Sequence, residues 1–367
     1  MKSLALIFIG LTSVLPAREV TFYVGTLGPE AKGIWRGTLD DQTGKISAPV
    51  LLSEIKSASY LAFRPDGKTL YATTEMSDGS GGVAAFKLNA DGTVKLLNSQ
   101  TTGGKNCNHL AVDATGKNCA AANYGSGSVT SLPIKADGSL AEFSGFVQHV
   151  GKSVHPARQT SPHAHGVYFD ATNKFLAVPD LGIDQIKVYR FDADVGKLSF
   201  ADSVSIMQKP GDGPRHLVFH PTLPLAYACN ELSLTVTAFR FDVKTGELSP
   251  FQVIDTLPAD AERKGASAAE IFSHPNGRTL YVSNRIHDSI AVYSIGTDGS
   301  LKLIQHQLSV PATPRGFGLS PDGQWLVCAG QKSGTLNAYR INLESGMLTD
   351  TQQAVKVGSA SCVVFPK

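Results

Sequence analysis

The chain has 367 residues, 42% of them hydrophobic and 17% charged, with a formal net charge of +2. That balance, with no basic run or stripe, excludes a phosphate-neutralising surface, so no nucleic-acid partner is expected. Beyond the N-terminal segment no stretch is long and apolar enough to span a bilayer, so no membrane partner is expected for the rest of the chain.

At the start, Lys2 precedes an apolar run from Leu4 to Leu15 that ends at Pro16-Ala17. This reads as a signal peptide over residues 1–17, with export to the periplasm or beyond. The alternative is a first strand that belongs to the fold of a cytoplasmic protein. Residues 18–367 then read as one domain. Val20 to Thr26 (VTFYVGT) and the following GIWRGTL look like later strands of a sheet whose first strand is missing. From Tyr60 to Gln100 a complete unit appears: YLAF, the turn RPDGK, TLYATTE, a loop, VAAFKL, the turn NADGT and VKLL. Alternating apolar runs bounded by Asp-Gly are hairpin signals, because Gly accepts the positive φ such turns require.

The unit recurs from His109, Gly166, His216, Glu270 and Gly316, and its closing turn carries a glycine each time: Gly44, Gly92, Gly138, Gly196, Gly246, Gly299 and Gly346. Near the end, Ser361 to Pro366 (SCVVFP) is a first strand with nothing after it. Pairing it with the orphan strands at the start closes a ring and removes its open edges. The expected fold is therefore all-β, a seven-bladed β-propeller of four-stranded blades with one blade shared between the termini. A monomer is expected. The five cysteines have no C-x-x-C spacing and mostly lie in apolar strands, so neither a disulfide framework nor a thiolate metal site is expected.

In a propeller the first strand of each blade lines the central channel, and the second returns beside it. The start of the first and the end of the second therefore open on one face. Aligning the copies brings His165, Arg215, His216, Glu231, Glu270, Arg285 and Arg315 to one mouth, with Asn123 and Asp180 at equivalent strand ends. Two long connections cross the same face. Val147 to Pro162 carries His149, His155 and Arg158, and Thr256 to Ala268 carries Glu262, Arg263 and Lys264. Seven ionisable groups at one mouth point to a functional site rather than to solvated rim positions.

The strings PHAHG (from Pro162), GDGPRHLVFHP (from Gly211), YACNEL (from Tyr227), LYVSNR (from Leu280) and TPRGFGLSPDG (from Thr313) go beyond a generic propeller. Together they resemble the seven-bladed lactonase family that includes propeller-type 6-phosphogluconolactonases and 3-carboxy-cis,cis-muconate lactonising enzymes. The resemblance implies a cofactor-free, metal-independent site of His165, Arg215, Glu231 and Arg285, and a sugar or phosphosugar lactone as the small-molecule partner. Hydrolysis needs an activated water, charge stabilisation for the oxyanion and a proton for the leaving oxygen. His165 is assigned as general base, with His163 as its substitute. Arg215 and Arg285 are the clamps, and Glu231 holds an arginine or the histidine or shuttles the proton. His163, His216, Glu270, Arg315, Asn123 and Asp180 are expected to contact substrate.

Three other readings compete. One is a carboxymuconate cyclase-like lactonising enzyme. His163 and His165, or the ring of Asn123, Asp180, Asn230 and Asn284, would suit a metal, although Arg215 and Arg285 would repel a cation. A non-catalytic binding or surface-repeat propeller would need no cluster of His, Arg and Glu at its mouth.

Overall fold

The strand Leu225–Asn230 shows what drives the fold. Leu225, Tyr227 and Cys229 pack against Leu280 and Val282 of the next sheet, while Ala226 and Ala228 pack against Phe175 and Ala177 of the previous one. With both faces buried, the strand reads as an unbroken apolar run, large residues on one side and small on the other. In the computed structural model, which describes residues 18–308 and 310–366, this arrangement repeats round a ring of seven four-stranded antiparallel sheets. An apolar cluster fills each cleft between neighbouring sheets, seven among the described residues. Cys107, Cys119, Cys229, Cys328 and Cys362 are all free and buried.

The expected closure is present. Ala360–Val364 is the innermost strand of a sheet completed by Glu19–Thr26, Gly33–Asp40 and Val50–Glu54, with Val24 opposite Val363. The signal peptide expected over residues 1–17 lies outside the described residues.

The turn glycines of the repeat do more than reverse the chain. Gly44 and Gly346 take φ of 71° and 77°, and a Cβ on either would overlap the previous blade, Trp325 for Gly44 and Thr279 for Gly346. The backbone around them accepts hydrogen bonds from that blade as well. Tyr281 Oη donates to the Gly346 carbonyl at 2.8 Å, and Trp325 Nε1 to the Asp41 carbonyl at 2.9 Å. Each blade is thus seated on the one before it.

The inner strands are irregular where they reach one mouth of the channel. Pro214 pairs with Asn230 but His216 with Cys229, which leaves Arg215 as an extra residue. The same shift isolates Asn108, Arg315 and the pair Ala269-Glu270. A β-bulge of this kind bends the strand and re-aims the inserted side chain. Here it lets neighbours such as Arg215 and His216, which strict alternation would send to opposite faces, both join one buried cluster, hydrogen-bonded to each other at 3.1 Å. The other end of the channel is an apolar cavity of ≈ 680 Å³ walled by Phe63, Phe169, Phe219, Phe272 and Phe365, and Tyr60, His109, Tyr168 and Glu270 also line it.

Gly346→Ala adds both φ strain and overlap with Thr279, and is expected to cost about 2–4 kcal/mol. Gly67→Ala is the control. Its φ is 67° but nothing lies within 4 Å of the added Cβ, so only strain of about 1–2 kcal/mol is expected. Denaturant unfolding of the two variants measures the difference.

Candidate active site

Glu231 follows directly on the strand Leu225–Asn230 and is 2% exposed. Three guanidinium groups surround it. Arg215 Nε donates to Oε2 at 3.0 Å, Arg285 Nη2 to the same oxygen at 3.0 Å, and Arg158 Nη2 to Oε1 at 2.6 Å. Burial alone would push this carboxyl up, but Arg285, Arg215 and Arg158 outweigh it and hold Glu231 at about 2. The carboxylate is permanently charged and serves as the counter-ion that lets the arginines gather.

The positive charge exceeds what this carboxylate can balance. Arg315, re-aimed by its bulge, has no hydrogen-bond or ion-pair partner among the described residues, and burial with the charges of Arg215 and Arg285 pushes it down to about 9. It stays protonated at neutral pH. Arg285 Nε is buried and unpartnered as well. Guanidinium donors left without an acceptor in this way mark where an anionic group would be held.

His165 lies beside the cluster, its Nε2 3.8 Å from Glu231 Oε2. Asn108 Nδ2 donates both to the His165 carbonyl and to its Nδ1, each at 2.9 Å. Turning that amide over would set two oxygens against each other, so Nδ1 is the acceptor and Nε2 carries the proton. Burial, with Arg215, His216 and Arg315, pushes its pKa well below the ordinary histidine value. His165 is therefore a neutral ring that presents a donor, where the sequence reading of a base needs a lone pair.

His216 Nδ1 is 2.6 Å from Glu270 Oε1, and its Nε2 is 3.1 Å from Arg215 Nη1. Of the expected residues, His165, Arg215, Glu231, Arg285, His216 and Glu270 converge, and Arg315 is near enough to feel the charges of Arg215 and Arg285. His163 is displaced. Its Nδ1 donates to the Tyr124 carbonyl at 2.8 Å and its ring stacks on Tyr124 at 4.5 Å, whereas His165 meets Tyr124 edge-on. The two histidines do not face one another as a metal pair would.

Asn123 and Asp180, expected to contact substrate, are instead used inside the wall. Both are fully buried. Asn123 bonds Thr102, Ser128 and Thr130, and Asp180 takes His149 Nδ1 at 2.6 Å and the amides of His163 and Gly182. Asn230 and Asn284 also direct their amide nitrogens into their blades, to Thr235 and Thr237 for the first and to Ser289 and the Thr256 carbonyl for the second. The loop after Asp255 does not reach the cluster with its charges, since Arg263 pairs with Asp255 and Glu262 accepts the Lys264 amide.

Two contributors were given no role at the site by the sequence reading. Arg158 arrives on the long loop that His149 pins to Asp180 and Tyr189, and bonds Tyr124 Oη as well as Glu231. The loop's length and its histidines were the available signal. For Asn108, which sets the His165 ring, the signal was its place at the start of an inner strand in the repeat, but its aim depends on the bulge.

Residues 21–365 match the family profile described as "Lactonase, 7-bladed beta-propeller". The chain is 33% identical over 352 residues to a 6-phosphogluconolactonase of Bacillus subtilis, covering 94% of this chain and 99% of that one. It is also 33% identical to a 6-phosphogluconolactonase of Formosa agariphila, with coverage of 94% and 99%. Among solved structures it resembles the periplasmic gluconolactonase of Pseudomonas aeruginosa, with a TM-score of 0.88 and 30% identity over 95% of this chain and 99% of that one.

Glu231→Gln strips three arginines of their shared counter-charge, and is expected to lower stability by about 3–5 kcal/mol. Because the fold lowers this pKa, the advantage of the wild type is complete above about pH 5 and shrinks as pH falls toward 2. Unfolding measured at several pH values checks both size and sign.

Proposed function

The chain belongs to the seven-bladed β-propeller lactonase family, and on that premise we propose that it hydrolyses a sugar lactone of the 6-phosphogluconolactone type. The observation that carries the reading is the surplus of guanidinium at the mouth, above all Arg315 without an acceptor beside Arg215 and Arg285. A phosphate on the substrate matches such donors in charge and geometry. The oxyanion that forms when water attacks the carbonyl gains from the same charge in a site that excludes solvent. His165, Arg215, Glu231 and Arg285 are the residues proposed for the chemistry. Glu231 fixes the clamps, the arginines hold negative charge, and His165 Nε2–H faces the cluster as a donor.

A second reading has its own support. The apolar run Leu4 to Leu15 and the likeness to a periplasmic gluconolactonase favour an exported enzyme that acts on an unphosphorylated aldonolactone. The two readings part on substrate affinity. Purified protein is assayed for acid release from gluconolactone, its 6-phosphate and muconolactone. The phosphorylated reading expects the lowest KM for the 6-phosphate, and Arg315→Ala should raise that KM about 10- to 100-fold, a much larger change than in KM for the neutral lactone. A preference for the neutral lactone, unaffected by Arg315→Ala, selects the second reading, and preference for muconolactone selects the cyclase-type alternative. No turnover above the spontaneous rate on any lactone overturns the proposal.

Metal removal gives a separate check. Arg215 and Arg285 supply permanent charge where a cation would have to sit, so prolonged chelation is expected to leave hydrolysis unchanged. Loss of activity that calcium or zinc restores would contradict this account of the site.

A further inference from the structure

Of the histidines at or near the mouth, His165, His163 and His216 are sorted by their hydrogen bonds according to what each can do with a proton. His165 accepts at Nδ1 from Asn108 and so turns a donor toward Glu231. His163 donates at Nδ1 to the Tyr124 carbonyl, which leaves a lone pair on Nε2, but its ring is stacked on Tyr124 and has no bond to the arginine cluster. His216 differs from both. Arg215 Nη1 stands 3.1 Å from its Nε2, and a guanidinium only donates, so that nitrogen carries the lone pair. Its proton is therefore on Nδ1, directed at Glu270 Oε1 at 2.6 Å. A carboxylate behind an imidazole whose far nitrogen offers a lone pair to the reacting site is the arrangement by which a histidine is held ready as a base.

We propose that His216, positioned by Glu270, is the general base of the reaction, and that His165 supplies a hydrogen bond to the oxyanion. This rests on the lactone-hydrolase reading of the site. In the step, the oxygen of water bonds to the lactone carbonyl carbon and the π pair of the carbonyl moves onto its oxygen. The water proton passes to His216 Nε2. Arg215 Nη1 yields that position and keeps its bond to the Ala269 carbonyl, while Nε keeps Glu231. Collapse of the intermediate re-forms the carbonyl and breaks the ring C–O bond. The departing oxygen keeps the bonding pair and takes the proton back from His216. One water and one lactone become one hydroxy acid, which ionises in solvent, and His216 ends as it began.

The surroundings of the pair are consistent with this work. His216 faces Arg215, Arg285, Arg315, Glu231 and Glu270, with the rings of His109, His165, Tyr60 and Tyr168 at 5.0, 5.2, 6.0 and 6.2 Å. Burial, then Arg215 and Arg315, push His216 well below the ordinary histidine value. Burial lifts Glu270 to about 7, although Arg215, His109 and Arg315 pull it down. At 2.6 Å the two titrate as a unit, which takes up one proton as pH falls through about 7 and then no longer accepts one from water. The rate should therefore fall on the acid side of about pH 7.

The test is the pH profile of kcat for the wild type, His216→Gln, Glu270→Gln and His165→Gln on the lactone the wild type hydrolyses best. His216→Gln is expected to lower kcat about 10²- to 10⁴-fold with little change in KM. Glu270→Gln keeps an acceptor for Nδ1–H but removes the charge. It should lower kcat about 10- to 100-fold and move the acid limb to lower pH by a unit or more, a displacement that loss of packing would not cause. His165→Gln should lower kcat and leave the limb in place. Nitrogen NMR of labelled histidines in the wild-type protein should find the proton of His216 on Nδ1 and that of His165 on Nε2, which keeps the proposal testable if His216→Gln does not fold. Full kcat in His216→Gln, an acid limb that follows His165 or His163 instead of Glu270, or the reverse tautomers would overturn it. A wild-type protein inert on every lactone removes the hydrolase reading and the base with it, a failure distinct from an active enzyme that ignores His216.

Discussion

Each blade is seated on its predecessor through a turn that only glycine allows, and the rest of the molecule depends on that contact. A single four-stranded sheet has two apolar faces and cannot bury either alone. Tyr227 and Cys229 are covered only because the next blade supplies Leu280 and Val282, and Ala226 only because the previous one supplies Phe175. Gly346 on Thr279 and Gly44 on Trp325 fix how closely the outer parts of successive blades approach. The ring closes when Ala360–Val364 joins Glu19–Thr26, which pairs the inner edge of that N-terminal strand and completes the blade at the seam.

A wall built this way holds charges together that would otherwise separate. Arg158, Arg215 and Arg285 share one carboxylate, and Arg315 has none of its own, so the cluster is repulsive in sum. Its members come from different parts of the chain: a blade-crossing loop, two inner-strand bulges and one strand end. Because each is anchored in a separately packed element, the repulsion cannot relax by moving any one of them. Electrostatic strain of this kind is what an anionic ligand relieves on binding. The deeper pair, His216 and Glu270, sits at the base of this cluster beside Tyr60, His109 and Tyr168, where burial keeps its proton within the pair instead of lost to solvent.

Much of this is legible in the sequence. The turn glycines, the Pro-Asp-Gly hairpins and the orphan strands at both ends establish seven blades and the shared one, because a repeat period is a property of the sequence itself. Aligning the copies also brings Arg215, Glu231, Arg285, His165 and Arg315 to one mouth, since equivalent positions in a closed ring are neighbours in space. The same alignment misplaces Asn123 and Asp180, which occupy equivalent strand ends but turn into the wall.

The difference lies in side-chain direction, which alternation predicts only while the register is regular. The sequence by itself determined the fold, its closure and the identity of the charged mouth, because periodicity and hydrophobic pattern carry that information. The tertiary structure alone decided that the bulges at Asn108, Arg215, Glu270 and Arg315 re-aim the inner strands and that Arg158 reaches Glu231 from a distant loop. It also decided which nitrogen of His165 and of His216 carries the proton. A tautomer is set by hydrogen-bond partners, Asn108 of a neighbouring blade for His165, and for His216 the adjacent Arg215 together with Glu270 of the next blade, and no local run of residues specifies the partners across the blade boundary.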